Sequence, residues 1–101
     1  MDLFDLSGRV ALVTGGNGGI GFGMAEGLAA AGAAVMIAGR DRAKSEAAVA
    51  ALREPGGTAE AVTVDVAEET SCRAMVTATI GAFGRLDILI RAGPLRHVPP
   101  T

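Results

Sequence analysis

The 101-residue chain has no Trp and no Tyr, and it has one cysteine and one histidine. A single cysteine, Cys72, excludes an internal disulfide and fits a reducing compartment. No His/Cys spacing typical of a metal site occurs, so we expect no metal. His97, the sole histidine, falls in a stretch without periodicity, where a surface position is expected. The missing tyrosine removes one of the side chains that serve as general acids in catalysis.

Charged runs and long apolar runs are also missing. With 9 basic and 11 acidic residues the net charge is -2, and no Lys/Arg run supports a nucleic-acid partner. No apolar segment approaches the roughly 18 residues of a membrane span. The acidic start at residues 1–5 lacks the charged and apolar regions of a secretory signal. We therefore expect a cytoplasmic protein with no nucleic-acid and no membrane partner.

Short apolar runs alternate regularly with helical patterns along the chain. The apolar runs predict strands at residues 9–14, 34–38, 59–64 and 86–90. The helical patterns cover residues 19–31 with Gly32 at the end, 42–53 with Asp41 as the cap, and 68–83 with Ala67 at the expected cap position. Near-continuous apolar strands are typical of a parallel sheet covered on both faces. Right-handed crossovers then give the strand order 3-2-1-4 in a single α/β domain over residues 1–101, with an irregular tail at 94–101.

A glycine-rich turn, Thr14–Gly21, lies between the first predicted strand and the first predicted helix. Gly15 allows a tight turn, Gly19 lets the backbone approach a pyrophosphate, and Gly21 lets the helix lie close to the sheet. The helix N-terminus presents unpaired N–H groups and a partial positive charge to phosphates. The turn predicts a dinucleotide site; the alternative is a flexible loop whose glycines serve only packing. The predicted cofactor-binding residues of this turn are Thr14, Gly15, Asn17, Gly18, Gly19, Ile20 and Gly21.

Thr14, Gly15, Gly19 and Gly21 match in full the signature Thr-Gly-x-x-x-Gly-x-Gly, so the sequence resembles the short-chain dehydrogenase/reductase family. The resemblance covers residues 6–93, with the family's opening at 6–15 and its approach to strand 4 at 83–89. Residues 3–6 and 21–25 most resemble members that oxidise sugar acids, such as gluconate or deoxygluconate dehydrogenases. The resemblance implies the N-terminal half of a Rossmann-type doubly wound parallel sheet, and homo-oligomeric full-length relatives.

The resemblance implies further cofactor contacts after the third and fourth strands. Asp65 would accept a hydrogen bond from the adenine amino group and Val66 would pack on the ring; alternatively, Asp65 caps the next helix. Ala92 and Gly93 match the end of the family motif Asn-Asn-Ala-Gly, and both are predicted to bind the cofactor. Arg91 stands at the remaining asparagine position, with one residue of the usual spacing missing.

The end of the second strand bears on the choice between NAD and NADP. A carboxylate there would bind the ribose 2′-hydroxyl and repel a 2′-phosphate, but this sequence has Gly39 followed by Arg40, with Arg42 nearby. A small residue followed by arginine leaves room for a phosphate and supplies a bidentate donor. We therefore favour NADP, with NAD as the other candidate. Gly18 counts against NADP, since many NADP-using relatives are basic there, and the alternative is that both arginines are solvated charges.

Catalysis in the family uses a serine, a tyrosine, a lysine and a helper asparagine that lie beyond the region matched here. No catalytic residue is predicted: the chain has no tyrosine, and Lys44, its one lysine, is on the second predicted helix, away from the nicotinamide end. We expect an N-terminal cofactor-binding fragment of an NAD(P)-dependent short-chain oxidoreductase, from truncation or a frameshift. The alternative is a non-catalytic dinucleotide-binding module. With four strands, the apolar fourth strand is expected to be an open edge.

Overall fold

Three helices alternate with four parallel strands in the computed structural model, which describes residues 5–15, 19–63 and 69–91. The strands are β1 (Val10–Thr14), β2 (Ala34–Gly39), β3 (Thr58–Thr63) and β4 (Ile88–Arg91). The helices are α1 (Gly19–Ala30), α2 (Arg42–Arg53) and α3 (Glu69–Phe83). The alternation of apolar runs and helical patterns therefore predicted the type of every element correctly.

The sheet has the order β3-β2-β1-β4, as predicted, and all of its strands are parallel. In its register, Thr14 at the end of β1 pairs with Ala38 on one side and with Arg91 on the other. Because the strands are parallel, their carboxyl ends lie at one edge of the sheet, where α/β folds bind ligands. The fold is the N-terminal part of a Rossmann-type sheet.

The predicted limits of β4 need a correction. Residues 86–90 were expected to form the strand, whereas it runs from Ile88 to Arg91. Leu86 packs against the core under α3 instead of joining the ladder. Asp87 follows it and binds the start of β1 through its backbone and its carboxylate, so regular pairing begins one residue later. The shift brings Arg91 into the sheet.

The core is divided between the two faces of the sheet. On one face, residues of β1, β2 and β3 pack against α1 and α2, and Val13 and Ile37 are fully buried there. On the other face, Leu12 and Met36 pack against Met75 of α3. Every residue of β1 is buried, because helices cover both of its faces. Each fully buried aliphatic side chain contributes about 1.5–3 kcal/mol to folding.

The residues at the ends of α1 and α2 have the conformation and the contacts expected of helix caps. Gly32, predicted to end α1, has a φ of 103°, a left-handed value that glycine adopts without strain. Asp41 caps α2 by accepting a hydrogen bond from the Lys44 backbone N–H at 3.1 Å. The first residue of α3 is Glu69, and Ala67, the cap expected from the sequence, lies outside the described residues.

The two edge strands, β3 and β4, differ in what covers their outer side. On β3, Arg53 of α2 donates to the Ala59 carbonyl at 2.9 Å and forms an ion pair with Glu60. On β4, Leu89 is 56% exposed, and Ile80 of α3 is also exposed. The open apolar edge expected at β4 is thus present among the described residues. Arg53 occupies a carbonyl of β3, which is one way in which proteins protect edge strands.

Within residues 5–15, 19–63 and 69–91, no helix is long and apolar enough to cross a membrane. The same ranges contain no group of three His, Cys, Asp or Glu side chains that could hold a metal ion. The cytoplasmic location expected from the sequence stays a prediction.

Candidate dinucleotide site

The glycine-rich turn begins at the carboxyl end of β1, where hydrogen bonds hold it to both neighbouring strands. The Gly15 N–H donates to the Ala38 carbonyl of β2 at 2.9 Å. The Thr14 hydroxyl donates to the Ile90 carbonyl of β4 at 3.4 Å, and the Thr14 side chain is buried. The start of the turn is therefore held at the middle of the sheet's carboxyl edge, where an α/β sheet binds its ligand.

Two glycines of the turn have left-handed backbone conformations. The φ angles are 72° at Gly15 and 58° at Gly19. Only glycine takes such values freely, since other L-residues are strained there by roughly 1–2 kcal/mol. A Cβ built on Gly19 would meet no atom within 4 Å, so the space beside its backbone is open. An open space at the start of a helix fits the cradle of a phosphate group.

Helix α1 begins at this open space. Its first turn contains no acidic residue, so no carboxylate of that turn neutralises the partial positive charge of the helix N-terminus. Gly21 is buried, as expected for a position where the helix approaches the sheet. One turn further, Ala25 is fully buried in the cluster that includes Val13 and Val35. The small residues of α1 thus bring its N-terminus close to the end of β1.

The residues expected to determine the preference for NAD or NADP lie at the end of β2. Gly39 is buried at the last position of the strand and Arg40 is exposed directly after it. Arg42 is bound to Glu46 one turn along α2, with 3.0 Å between Nε and Oε1. Arg42 therefore has a partner of its own. Arg40 has no hydrogen bond or ion pair with any other residue that the structure describes.

The structure describes only part of the predicted site. It brings together Thr14, Gly15, Gly19 and Gly21 at the end of β1, with Arg40 at the end of the neighbouring strand. Ile20 lies in the first turn of α1. The remaining predicted contacts, outside the described residues, are Asn17, Gly18, Asp65, Val66, Ala92 and Gly93.

Asp87 lies at the opposite, amino end of the sheet and joins β4 to β1. Its carboxylate accepts from the Val10 N–H at 2.9 Å, and its own N–H donates to the Val10 carbonyl at 2.9 Å. The other carboxylate oxygen lies 2.7 Å from Arg85 and 3.5 Å from Arg9. The hydrogen bond from Arg85, the one from Val10 and the two positive charges lower the pKa of Asp87. These contacts make Asp87 a structural residue.

Arg91 also lies at this edge, although no cofactor contact was predicted for it. It stands at the position of the family's asparagine. As the last residue of β4 it is exposed, and it pairs in the ladder with Thr14. The signal that could have found it is its charge at the carboxyl end of a strand, but that end was predicted one residue too early.

Comparison with known proteins agrees with this geometry. Residues 9–100 match the family described as short chain dehydrogenase. The chain belongs to this family. Over 101 residues it is 38% identical to a 2-dehydro-3-deoxy-D-gluconate 5-dehydrogenase of Formosa agariphila, and the match covers 98% of this chain and 38% of that protein. This relative is of the deoxygluconate type suggested by the residues around Gly21.

Solved structures of the same family superpose closely on the chain. A dehydrogenase/reductase from Sinorhizobium meliloti has a TM-score of 0.87 at 35% identity, covering 96% of this chain and 39% of the other. A metagenomic short-chain oxidoreductase in complex with NADP has a TM-score of 0.78 at 38% identity, covering 83% of this chain and 38% of the other. The chain thus spans less than two fifths of the length of these relatives.

Proposed function

We propose that this chain binds a nicotinamide dinucleotide as the cofactor-binding part of a short-chain oxidoreductase, which interconverts alcohol and carbonyl groups. One observation carries the proposal: a turn with glycines at positive φ leaves a fully buried strand and opens a helix beside an empty space. When bound, the cofactor would supply or accept the hydride. The residues described above would bind it and orient it.

The pyrophosphate would lie over the turn at the N-terminus of α1. Backbone N–H groups of the first helical turn would donate to its oxygens, and Gly19 would allow close approach. Thr14 and Gly15, bonded to both neighbouring strands, would keep the cradle in position. Beyond the described residues, the predicted contacts are Asp65 and Val66 with the adenine, and Ala92 and Gly93 in the crevice wall.

Of the two cofactors, we propose that NADP is preferred. No carboxylate follows β2 at the position where a ribose 2′-hydroxyl would be bound, and Arg40 is exposed there without a partner among the described residues. A guanidinium can donate two parallel hydrogen bonds to a phosphate. The NADP complex of a relative that is 38% identical over this region supports the preference.

The test is a titration of the purified chain with NADPH and with NADH, following nicotinamide fluorescence. Because Arg40 would bind the 2′-phosphate, we expect Arg40→Gln to weaken NADPH binding by about tenfold to a hundredfold, the range of charge-assisted hydrogen bonds, and to leave NADH binding unchanged. Arg42→Gln is the matched control, since its guanidinium is bound to Glu46. Equal or tighter binding of NADH by the unaltered chain would contradict the preference for NADP.

A second candidate, left open by the sequence, is a dinucleotide-binding module without chemistry. The family's proton transfer would need a tyrosine with a lysine four positions later. The coding DNA downstream of this stretch separates the two candidates. An in-frame Tyr-x-x-x-Lys supports the oxidoreductase, whereas its absence from every frame supports the binding module.

A further inference from the structure

We propose that Arg91 is an additional phosphate-binding residue of the dinucleotide site, and that it binds the pyrophosphate that NAD and NADP share. The inference rests on the proposed function and adds a residue that the family signature does not supply. It follows from three properties of Arg91: its register in the sheet, its lack of a carboxylate partner among the described residues, and the side of β1 on which it lies.

The register places Arg91 next to the turn. It pairs with Thr14, the last residue of β1, and the next residue is Gly15 with its φ of 72°. Neighbouring strands lie about 4.8 Å apart. An extended arginine side chain is longer than that distance, so the carboxyl edge beside Thr14 is within its length. The hydrogen bond from Thr14 to the Ile90 carbonyl holds the end of β4 in this position.

The arginines of the described residues fall into two groups. Five of them have partners: Arg9 and Arg85 contact Asp87, Arg42 contacts Glu46, Arg53 contacts Glu60, and Arg73 also has an interaction. Arg40 and Arg91 have no hydrogen bond or ion pair within the described ranges, and both are exposed. Arg40 follows the last residue of β2 and Arg91 is the last residue of β4, and these two strands flank β1. The two arginines without a partner among the described residues therefore lie on the two sides of the glycine-rich turn.

This local charge matters because the chain as a whole is acidic, with a net charge of -2. The overall field does not attract a dinucleotide, so binding depends on cations near the phosphates. The helix N-terminus adds only about half a positive charge. A guanidinium beside it supplies a full charge and two parallel donors, which match the geometry of a phosphate.

Arg40 and Arg91 lie on opposite sides of β1. Arg40 follows β2, on the side where the adenosine ribose and any 2′-phosphate are proposed to lie. Arg91 ends β4, on the other side of Thr14. The pyrophosphate over the turn is the anion within reach of Arg91, and every nicotinamide dinucleotide carries it. Arg91 should therefore raise affinity for both cofactors, whereas Arg40 should affect only NADPH.

The experiment compares Arg91→Gln with the unaltered chain, using NADPH and NADH as separate ligands. We expect both affinities to fall by about tenfold to a hundredfold, by similar factors. Arg91→Lys keeps the charge and should recover part of the loss. Arg9→Gln is the matched control, because it removes one positive charge at the opposite end of the sheet. Thermal unfolding without ligand is measured on each variant, and Arg91→Gln should unfold like the unaltered chain.

Salt provides a second readout. Raising the ionic strength should weaken NADH binding by the unaltered chain more steeply than binding by Arg91→Gln, since the variant has one fewer charge to screen. Unchanged binding of both ligands by Arg91→Gln would overturn the inference and leave the proposed function intact. A loss for NADPH alone would also overturn it. Failure of the unaltered chain to bind either ligand would instead refute the proposed function.

Discussion

The two ends of the parallel sheet are built differently. At the amino end, charged groups contact one another: Asp87 binds Arg85, Arg9 and the backbone of Val10, and the segment before β1 bonds to the end of α1. At the carboxyl end, the turn has glycines in left-handed conformations, and Arg40 and Arg91 have no partner among the described residues. The amino end satisfies its own polar groups, whereas the carboxyl end leaves donors available to a ligand.

This difference separates stability from binding. A group that is already bonded within the fold stabilises it and has little left to offer a ligand. A group without a partner adds little to stability, but it can form a charge-assisted bond when an anion arrives. Substitutions at the amino end should therefore change unfolding and leave cofactor affinity unchanged. Substitutions at the carboxyl end should lower cofactor affinity, and should change unfolding only where they strain the backbone.

The largest effect is expected at the carboxyl end, from Gly19→Val. A β-branched side chain is strained at a φ of 58° and would fill the open space beside the turn. We expect NADPH and NADH binding to fall by more than about a hundredfold, with a loss of about 1–2 kcal/mol in unfolding free energy. Fluorescence titration and urea unfolding measure the two effects. Retained affinity would show that the ligand does not approach Gly19.

At the amino end, the largest loss of stability is expected from Gly32→Ala. The φ of 103° is unfavourable for alanine, and its Cβ would lie 2.7 Å from the hydroxyl oxygen of Ser7. Strain and overpacking together should cost about 2–3 kcal/mol in unfolding free energy. Cofactor affinity of the folded fraction should not change. A loss of cofactor affinity as large as that expected for Gly19→Val would contradict the idea that the amino end serves stability and the carboxyl end serves binding.

Asp87→Asn tests the ion pairs of the amino end, and we expect a smaller loss of stability from it. Contacts in the folded state lower the pKa of Asp87 from its ordinary value of 3.8. The contribution of the Asp87 carboxylate to stability is therefore complete above pH 3.8. The contribution is lost as the pH falls through the lower pKa of the folded state. Urea midpoints of the two proteins should therefore differ at pH 7 and converge in acid. A constant difference at all pH values would exclude the charge as its cause.

The smallest effect is expected from Gly81→Ala, which touches neither end of the sheet. Gly81 is an exposed residue in the interior of α3, and a Cβ there would meet no atom within 4 Å. Alanine should stabilise the helix by about 0.5–1 kcal/mol, because glycine loses more backbone entropy on folding. The urea midpoint should rise and the affinity stay constant. Destabilisation would reveal a contact with residues outside the described ranges.

Local patterns in the sequence predicted most of what positions the site. The buried strand before Thr14, the helix after Gly19 and the glycine that ends α1 are visible because apolar periodicity and glycine conformations act over a few residues. The order of the four strands also followed, since right-handed crossovers leave few arrangements. The limits of β4 were predicted wrongly because Leu86 has the apolar character of a strand residue but packs against the core under α3.

The sequence by itself therefore determined the element types, the sheet order and the glycine-rich turn with its expected ligand. Only the tertiary structure decided which charges have partners. Asp87 meets Val10 across 77 positions of sequence, and Arg91 meets Thr14 across a similar distance. Such contacts depend on the register of strands that are far apart in the chain, and no local pattern encodes a register. The tertiary structure thus distinguishes the amino end, where charged groups bind one another, from the carboxyl end, where Arg40 and Arg91 have no partner among the described residues.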